Sequence, residues 1–255
     1  MSIAIKKSIR VLKNLMLEEG VYDLWLEADD MVADARPGQF VSLYCNDGGR
    51  LLPRPISICE IDRDKSSIRL VYRVLGKGTE EFSRLKTGDL IDCIGPLGRG
   101  FTLEGSKALL IGGGIGIPPL LELAKQLSCE KDIVLGYRDL TFLENDFKKY
   151  GNVYISTEDG SIGTKGNVID AIKANNLTAD IIYACGPTPM LKGVKEYAEV
   201  NHIKAQLSLE ERMACGIGAC LACVCQSTEV DHHTNVHNKR ICKEGPVFYA
   251  DEIVL

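Results

Sequence analysis

The chain has 255 residues, 45% hydrophobic and 25% charged, an ordinary globular composition with enough length to bury a sizeable core. Its net charge is -5 and its lysines and arginines are dispersed among acids, so it lacks a basic footprint and nucleic acid is not an expected partner. Lys6, Lys7, Arg10 and Lys13 interrupt the apolar residues of the N-terminus, and no apolar run approaches the roughly 18 residues of a membrane span. A soluble, cytoplasmic protein is expected.

From residue 1 to about 100 the sequence runs in short β-rich stretches separated by turn signals: "GVYDLWLEA", "GQFVSLYC", "PISICEI", "SIRLVYRVL" and "GDLIDCIGPLG". That rhythm predicts a small antiparallel barrel or sandwich over residues 1–102. In "KALLIGGGIGIPPLLELAKQL" an apolar strand runs into glycines and then into a helical pattern. The strands "DIVLGYR", "NVYISTE" and "DIIYACG" follow, alternating with helical "NVIDAIKANN" and "PMLKGVKEYAEVN". Strand and helix in alternation predict a doubly wound, parallel α/β domain over residues 103–212. The remainder, 213–255, drops the alternation and becomes a compact cysteine-rich unit, so the expected fold is multi-domain α+β.

Several strings carry chemistry. In "RPISI", Arg54 offers a charged fork for a pyrophosphate, Pro55 fixes the backbone, and Ser57 is placed to hydrogen-bond a flavin ring nitrogen. So short a string also occurs in edge strands with no ligand. In "GKGTEEFSRLKTGD", Gly76 and Gly78 are expected to precede a helical turn with Thr79 as its N-cap, a ready phosphate site or simply a capped helix.

The loop "GGGIGIPPL" supplies Gly112, Gly113, Gly114 and Gly116 after a strand and before a helix, where free amides and the helix start favour a phosphate. It is not a full dinucleotide fingerprint, since Ile117 occupies the third glycine position, and an ordinary strand-to-helix turn uses the same residues. "YACGPTPML" repeats the arrangement with Cys185, Gly186 and Pro187. Both loops lie at the carboxyl edge of the predicted sheet, where open parallel sheets bind ligands, and Cys185 and Gly186 are expected nearest the reactive end of a dinucleotide. In "LGYRDLTF", Arg138 suits a 2′-phosphate and Asp139 a pair of ribose hydroxyls, opposing signals that leave NADH against NADPH open.

The chain has ten cysteines, and five of them lie in its last sixth. Cys215, Cys220, Cys223 and Cys242 follow the C-x4-C-x2-C…C spacing of plant-type [2Fe–2S] centres, with Gly216 and Gly218 letting the loop wrap an inorganic core. A structural zinc site ordinarily uses two C-x2-C knuckles, and here the second is missing because Cys242 stands alone. Cys225 is surplus to the spacing; it could substitute as a ligand, but the spacing favours Cys223 and leaves Cys225 as a neighbouring thiol. His232, His233 and His237, in a polar insertion, are assigned no role.

Taken in order, "RPISI", "GKGTEEFSRLKTGDLIDCIGPLGRGF", "LLIGGGIGIPPLLELAKQL", "YACGPTPML" and "ERMACGIGACLACV" with "ICKEGPVF" resemble the electron-transfer subunits of class 1B dihydroorotate dehydrogenases, in the ferredoxin-reductase superfamily. The likeness covers essentially the whole chain and is most specific in "MACGIGAC" with "C…GPVF". It implies an FAD-binding barrel, an NAD-binding α/β domain and a [2Fe–2S] domain. FAD would be held by Arg54, Pro55, Ile56 and Ser57, by Val71, Tyr72 and Arg73 on the next strand, and by Gly78 with Thr79. The four spaced cysteines would be the cluster ligands, and NADH the preferred nucleotide.

It also implies a partner, an FMN-containing TIM-barrel catalytic subunit in a heterotetramer of two plus two. Electrons released there on orotate formation would pass through [2Fe–2S] and FAD to NAD⁺, in de novo pyrimidine (UMP) synthesis. A flavin handles both hydride pairs and single electrons, a physical reason for three sites in one chain. No catalytic acid or base is required. Ile217, Ala219, Leu221 and Ala222 are candidates for the docking surface. Two competing readings are a free-standing NAD(P)H flavin oxidoreductase serving another acceptor, which would not co-purify with a second flavoprotein, and a zinc-stabilised nucleotide sensor, which would be colourless.

Overall fold

The computed structural model describes residues 5–138, 140–230 and 235–255. In its first third, β1 (Lys7–Glu18), β2 (Val21–Glu27), β3 (Phe40–Leu43), β4 (Arg54–Asp62), β5 (Ser67–Arg73) and β6 (Leu90–Leu97) form a closed antiparallel barrel in the order β1-β2-β5-β4-β3-β6, with α1 (Lys77–Ser83) between the last two strands. Alternation along the strands sends Val11, Leu24, Leu26, Val41, Leu43, Ile58, Leu70 and Ile91 inward. Phe82 of α1 joins them, edge-on to Tyr72 with ring centroids 6.3 Å apart. Closure decides for the barrel over the sandwich, with the β4–β5 ladder open at one end.

The α/β part contains β7 (Lys107–Gly113), α2 (Pro119–Gln126), β8 (Glu130–Tyr137), α3 (Glu144–Phe147), β9 (Asn152–Thr157), β10 (Thr164–Lys165), α4 (Val168–Ala174), β11 (Ile181–Cys185), α5 (Thr188–Val200) and β12 (Lys204–Ser208). Ala108 and Leu110 of β7 pack with Leu120, Leu123 and Phe147 of α2 and α3, while Leu109 and Ile111 face Val168, Ile172, Leu191 and Val194 of α4 and α5. Helices thus cover both faces, the doubly wound arrangement expected from the alternation. Strand order reverses at β7, which has β8 on one side and β11 on the other, and this opens a crevice at their carboxyl ends.

The C-terminal segment supplies the hairpin strands β13 (Val224–Gln226) and β14 (Asn238–Arg240) and then β15 (Val247–Tyr249). β15 pairs antiparallel with β12 and becomes the edge of the α/β sheet, so that this sheet has seven strands. Cys223, Ile241 and Cys242 share one apolar core with Phe40 and Leu97 of the barrel and Leu207 of β12. The segment is therefore built into both neighbours.

Polar struts join barrel to sheet. Glu122 of α2, fully buried, accepts from Ile61 N at 2.8 Å and from Gln126 Nε2 at 2.6 Å. Buried Arg69 of β5 donates to Asp23 at 2.7 and 3.3 Å and reaches Asp146 of α3 at 3.2 Å. Removing one member of the buried Arg69–Asp23 pair, which lies within the barrel, strands a buried charge at a cost of about 3–5 kcal/mol, and the contact to Asp146 ties that pair to α3. Among the described residues, no helix is long and apolar enough to cross a membrane.

Candidate functional site

The first candidate region is a gap between strands. Residues 54–57 of β4 pair with β3, whereas the β4–β5 ladder begins only at Ile58 opposite Leu70. Arg54, Pro55, Ile56 and Ser57 are half-buried, whereas Ile58, Cys59 and Ile61 further along the strand are core. Across the opening, Val71, Tyr72 and Arg73 pair only with β2. Strands splayed in this way leave backbone groups available to the polar edge of a flat ligand. Arg54 meets α1 here, since a Cβ on Gly78 would come 2.5 Å from its Nε. The structure thus brings together the arginine and glycine motifs expected to share a pyrophosphate.

Two details differ from the sequence reading. Tyr72 is 1% exposed and stacks on Tyr22 inside the barrel at 5.8 Å, so its side chain faces away from the gap and only its backbone is available there. Thr79 is not the N-cap of α1. Gly76 holds that position, and Thr79 lies at the third helical residue, accepting from Leu75 N at 3.0 Å and Gly76 N at 3.2 Å. Gly78 lies inside the helix instead of before it. The threonine serves the helix start from within, by bonding back across the turn.

At the carboxyl edge of the sheet is a cavity of about 350 Å³, lined by Gly113, Gly114, Gly116, Gly186 and Pro187 from the two glycine loops. Gly114 has φ +53° and no atom within 4 Å of the place a Cβ would take, so it turns the chain beside open space. A Cβ on Gly116 would come 2.5 Å from the carbonyl oxygen of Cys185, so glycine lets the two loops touch. Gly112 and Cys185 do not line the cavity. Gly112 packs under Ile117 and Leu120, and the Cys185 thiol is buried, which pushes its pKa up.

Arg73 and Arg138 line the same cavity, and Asp139 lies outside the described residues. Sequence reasoning missed Ser156 and Glu158 at the end of β9 and Glu210 after β12. Ser156 is buried, and its hydroxyl has no hydrogen-bond partner among the described residues. Glu210 lines the cavity as an exposed residue, and desolvation by the protein around its carboxyl raises it. Polar residues at strand ends give no sequence pattern that would have singled them out.

The cysteine loop lies against the barrel and β12. Its chain reverses through left-handed residues at Gly216 (φ +70°), Gly218 (φ +84°) and Leu221 (φ +58°). These turns direct amides at sulfur: Ala219 N lies 3.3 Å from Cys215 Sγ, and the amides of Ile217 and Cys220 also face it. Partial burial raises the Cys215 thiol, but those amides and the Cys220 thiol outweigh it and hold it at about 6. Burial and the adjacent Cys223 push Cys242 up to about 12. Cys215 therefore meets Cys220, and Cys223 meets Cys242, with Cys215 close enough to Cys242 to act on it.

Among the described residues no three His, Cys, Asp or Glu side chains gather as ligands of one ion. A tetrahedral ion needs its donors around one point. Two pairs of thiols suit a two-iron core, each iron taking one pair, so the donor set fits the centre that the spacing predicts. Arg240, which sequence reasoning missed, ties the loop down. Its Nη1 donates to Gly218 O at 2.9 Å and its Nε bonds Glu244 at 3.0 and 3.2 Å.

Cys225 is on β13, where its Sγ donates to Lys239 O at 3.5 Å. Burial pushes this thiol up to about 11, so it stands apart from the four. His237 lies on the surface, Nδ1 3.2 Å from Ser227 O, and His232 and His233 lie outside the described residues.

Residues 8–101 match an oxidoreductase FAD-binding domain family, and residues 210–254 match the iron–sulfur cluster binding domain of dihydroorotate dehydrogenase B. The chain is 43% identical to the electron transfer subunit of dihydroorotate dehydrogenase B (NAD(+)) from Streptococcus mutans, covering 98% of this chain and 99% of that protein. It is 44% identical to the subunit of the same name from Fusobacterium nucleatum, over 94% of this chain and 95% of the other. Among solved structures, an NADH-dependent reduced ferredoxin-NADP oxidoreductase superposes with a TM-score of 0.86 at 31% identity, covering 96% of this chain and 89% of the other. A flavohemoglobin from Malassezia yamatoensis shares the fold at TM-score 0.67 and 22% identity, over 79% of this chain and 58% of the other.

Proposed function

The chain belongs to the electron-transfer subunits of NAD(+)-dependent dihydroorotate dehydrogenase B, and from that membership we propose that it carries electrons between a catalytic partner subunit and NAD⁺ in pyrimidine synthesis. The partner in this proposal is an FMN-containing TIM barrel, joined in a heterotetramer of two plus two in the cytoplasm. Electrons released when dihydroorotate becomes orotate leave that subunit and reach NAD⁺ on this one. When bound, a flavin supplies two-electron exchange with the nicotinamide and one-electron exchange with the iron–sulfur centre.

The chain's own residues hold and separate these groups. The β4–β5 gap takes the flavin, with Arg54 and the start of α1 on its pyrophosphate. The glycine loops and Ser156 take the dinucleotide. Glu158 in the cavity wall suits ribose hydroxyls and Arg138 beside it a 2′-phosphate, so the preference for NADH follows from the NAD(+) dependence named for the relatives. Cys215, Cys220, Cys223 and Cys242 take the [2Fe–2S] centre. Exposed Ile217 and Leu221, 53% and 58% accessible, flank it as part of the face that meets the partner.

The observation that carries this reading is the loop of Cys215, Cys220 and Cys223 packed through Gly216 against β3, the barrel strand beside the flavin gap, with Cys242 brought against Cys223 from beyond β14. Stepwise reduction of the purified protein by NADH tests it. Bleaching of a flavin band and then a reduced-cluster electron-spin signal are expected, together with co-purification of a second flavoprotein chain. A zinc-containing, colourless preparation would overturn the reading, and a flavin-containing protein with no second chain would favour the free-standing reductase.

A further inference from the structure

Ser42 lies in the middle of β3, 1% exposed, and its hydroxyl has no hydrogen-bond partner among the described residues. An unsatisfied buried hydroxyl costs about 1–3 kcal/mol, so the position calls for an acceptor or a donor. The neighbouring strands provide none. Ser42 is paired on one side with Pro55, which has no N–H, and on the other with Ile94. Its strand neighbours Val41 and Leu43 point into the barrel, so Ser42 points outward, like Phe40, toward the cysteine segment.

What lies there is the cluster loop. A Cβ on Gly216 would come 2.7 Å from Ser42 Oγ, with Leu97 Cδ1 the next group at 3.8 Å. Gly216 directly follows Cys215, whose sulfur is faced by the amides of Ile217, Ala219 and Cys220. Loop and flavin strand therefore approach each other at one buried hydroxyl.

We propose that Ser42 is a positioning residue for the iron–sulfur centre, its O–H donating to a sulfur of that centre across the seam between β3 and the loop. Cluster and thiolate sulfurs accept hydrogen bonds, and a serine hydroxyl can donate. Such a bond stabilises the reduced form, which carries one more negative charge, and so raises the midpoint potential. Ser42 sits beside Pro55 of the flavin gap, so it would set the potential on the side of the centre that faces the flavin. The inference rests on the four thiols holding a [2Fe–2S] centre.

The test is a redox titration of the holoprotein, with cluster and flavin midpoints followed separately by electron-spin and visible spectra. In Ser42→Ala the cluster signal is retained and its midpoint moves negative. A tenfold weaker hold on the electron corresponds to about 59 mV for a one-electron couple. Ser42→Cys, with its weaker S–H donor, falls between Ala and the natural residue, and the flavin midpoint stays in place. An intact cluster whose midpoint does not move in Ser42→Ala overturns the inference, as does a shift confined to the flavin. A natural protein with flavin but no cluster signal instead overturns the assignment of the loop, and this inference falls with it.

Discussion

Thiols buried in the strands and the loop thiol Cys215 behave as different groups in this protein. Cys59, Cys93 and Cys185 lie in β4, β6 and β11, each no more than 1% exposed, and burial pushes all of them up. Cys215, in the loop, is instead pulled down to about 6. Burial acts in the same direction on every one of these thiols, so the difference comes from the backbone. In a strand, the N–H groups are consumed by the neighbouring ladder. In the loop, left-handed residues at 216, 218 and 221 turn amides inward, where they stabilise a thiolate. At Cys215 the conformation around the thiol outweighs its burial, whereas Cys242, also among the four, is pushed up to about 12 by burial and by Cys223.

The harshest test removes one loop thiol. Cys220→Ser leaves Cys215 without its paired donor, and iron and labile sulfide are expected to fall to background, with electron delivery to the partner falling with them. NADH should still bleach the flavin, because the nucleotide cavity and the β4–β5 gap contain no residue of the loop. Full cluster content in this variant would break the comparison. So would loss of NADH-driven bleaching in a folded protein.

A smaller change tests the backbone alone. Gly216→Ala keeps every thiol but places a Cβ at φ +70°, where an L-residue is strained by about 1–2 kcal/mol, and 2.7 Å from Ser42 Oγ. The cluster should assemble and then be lost to a chelator several-fold faster than in the natural protein. Equal loss rates would mean that the left-handed turn contributes nothing to holding the centre.

These regions were not equally legible. The ligand spacing could be read because the three leading thiols lie in one short stretch, where chain geometry fixes their separation. The glycine loops could be read as strand-to-helix turns, but which glycines line the cavity could not, since Gly112 is taken by packing against Ile117 and Leu120. A strand repeats every two residues in either register, so the sequence did not tell that Tyr72 turns into the barrel. Thr79 was misplaced because hydroxyl residues are the usual N-caps and a glycine took that position. Ser42, Ser156 and Arg240 acquire their roles only through contacts with segments distant in sequence. The antiparallel edge strand β15 was likewise hidden in a tail of cysteines and turns.

The mildest expected effect belongs to Cys225, two residues beyond a ligand yet on the strand side of the comparison. Its Sγ is held across the β13–β14 pair by Lys239 O, and burial raises the thiol to about 11, so it stays protonated at neutral pH. Serine supplies a donor of similar size in the same place. Cys225→Ser should therefore cost less than about 1 kcal/mol in a denaturant titration and leave iron content and the electron-spin signal unchanged. If it emptied the site as Cys220→Ser does, Cys225 would be a ligand in place of Cys223, and a strand position would hold iron without the inward-turned amides that set the loop apart.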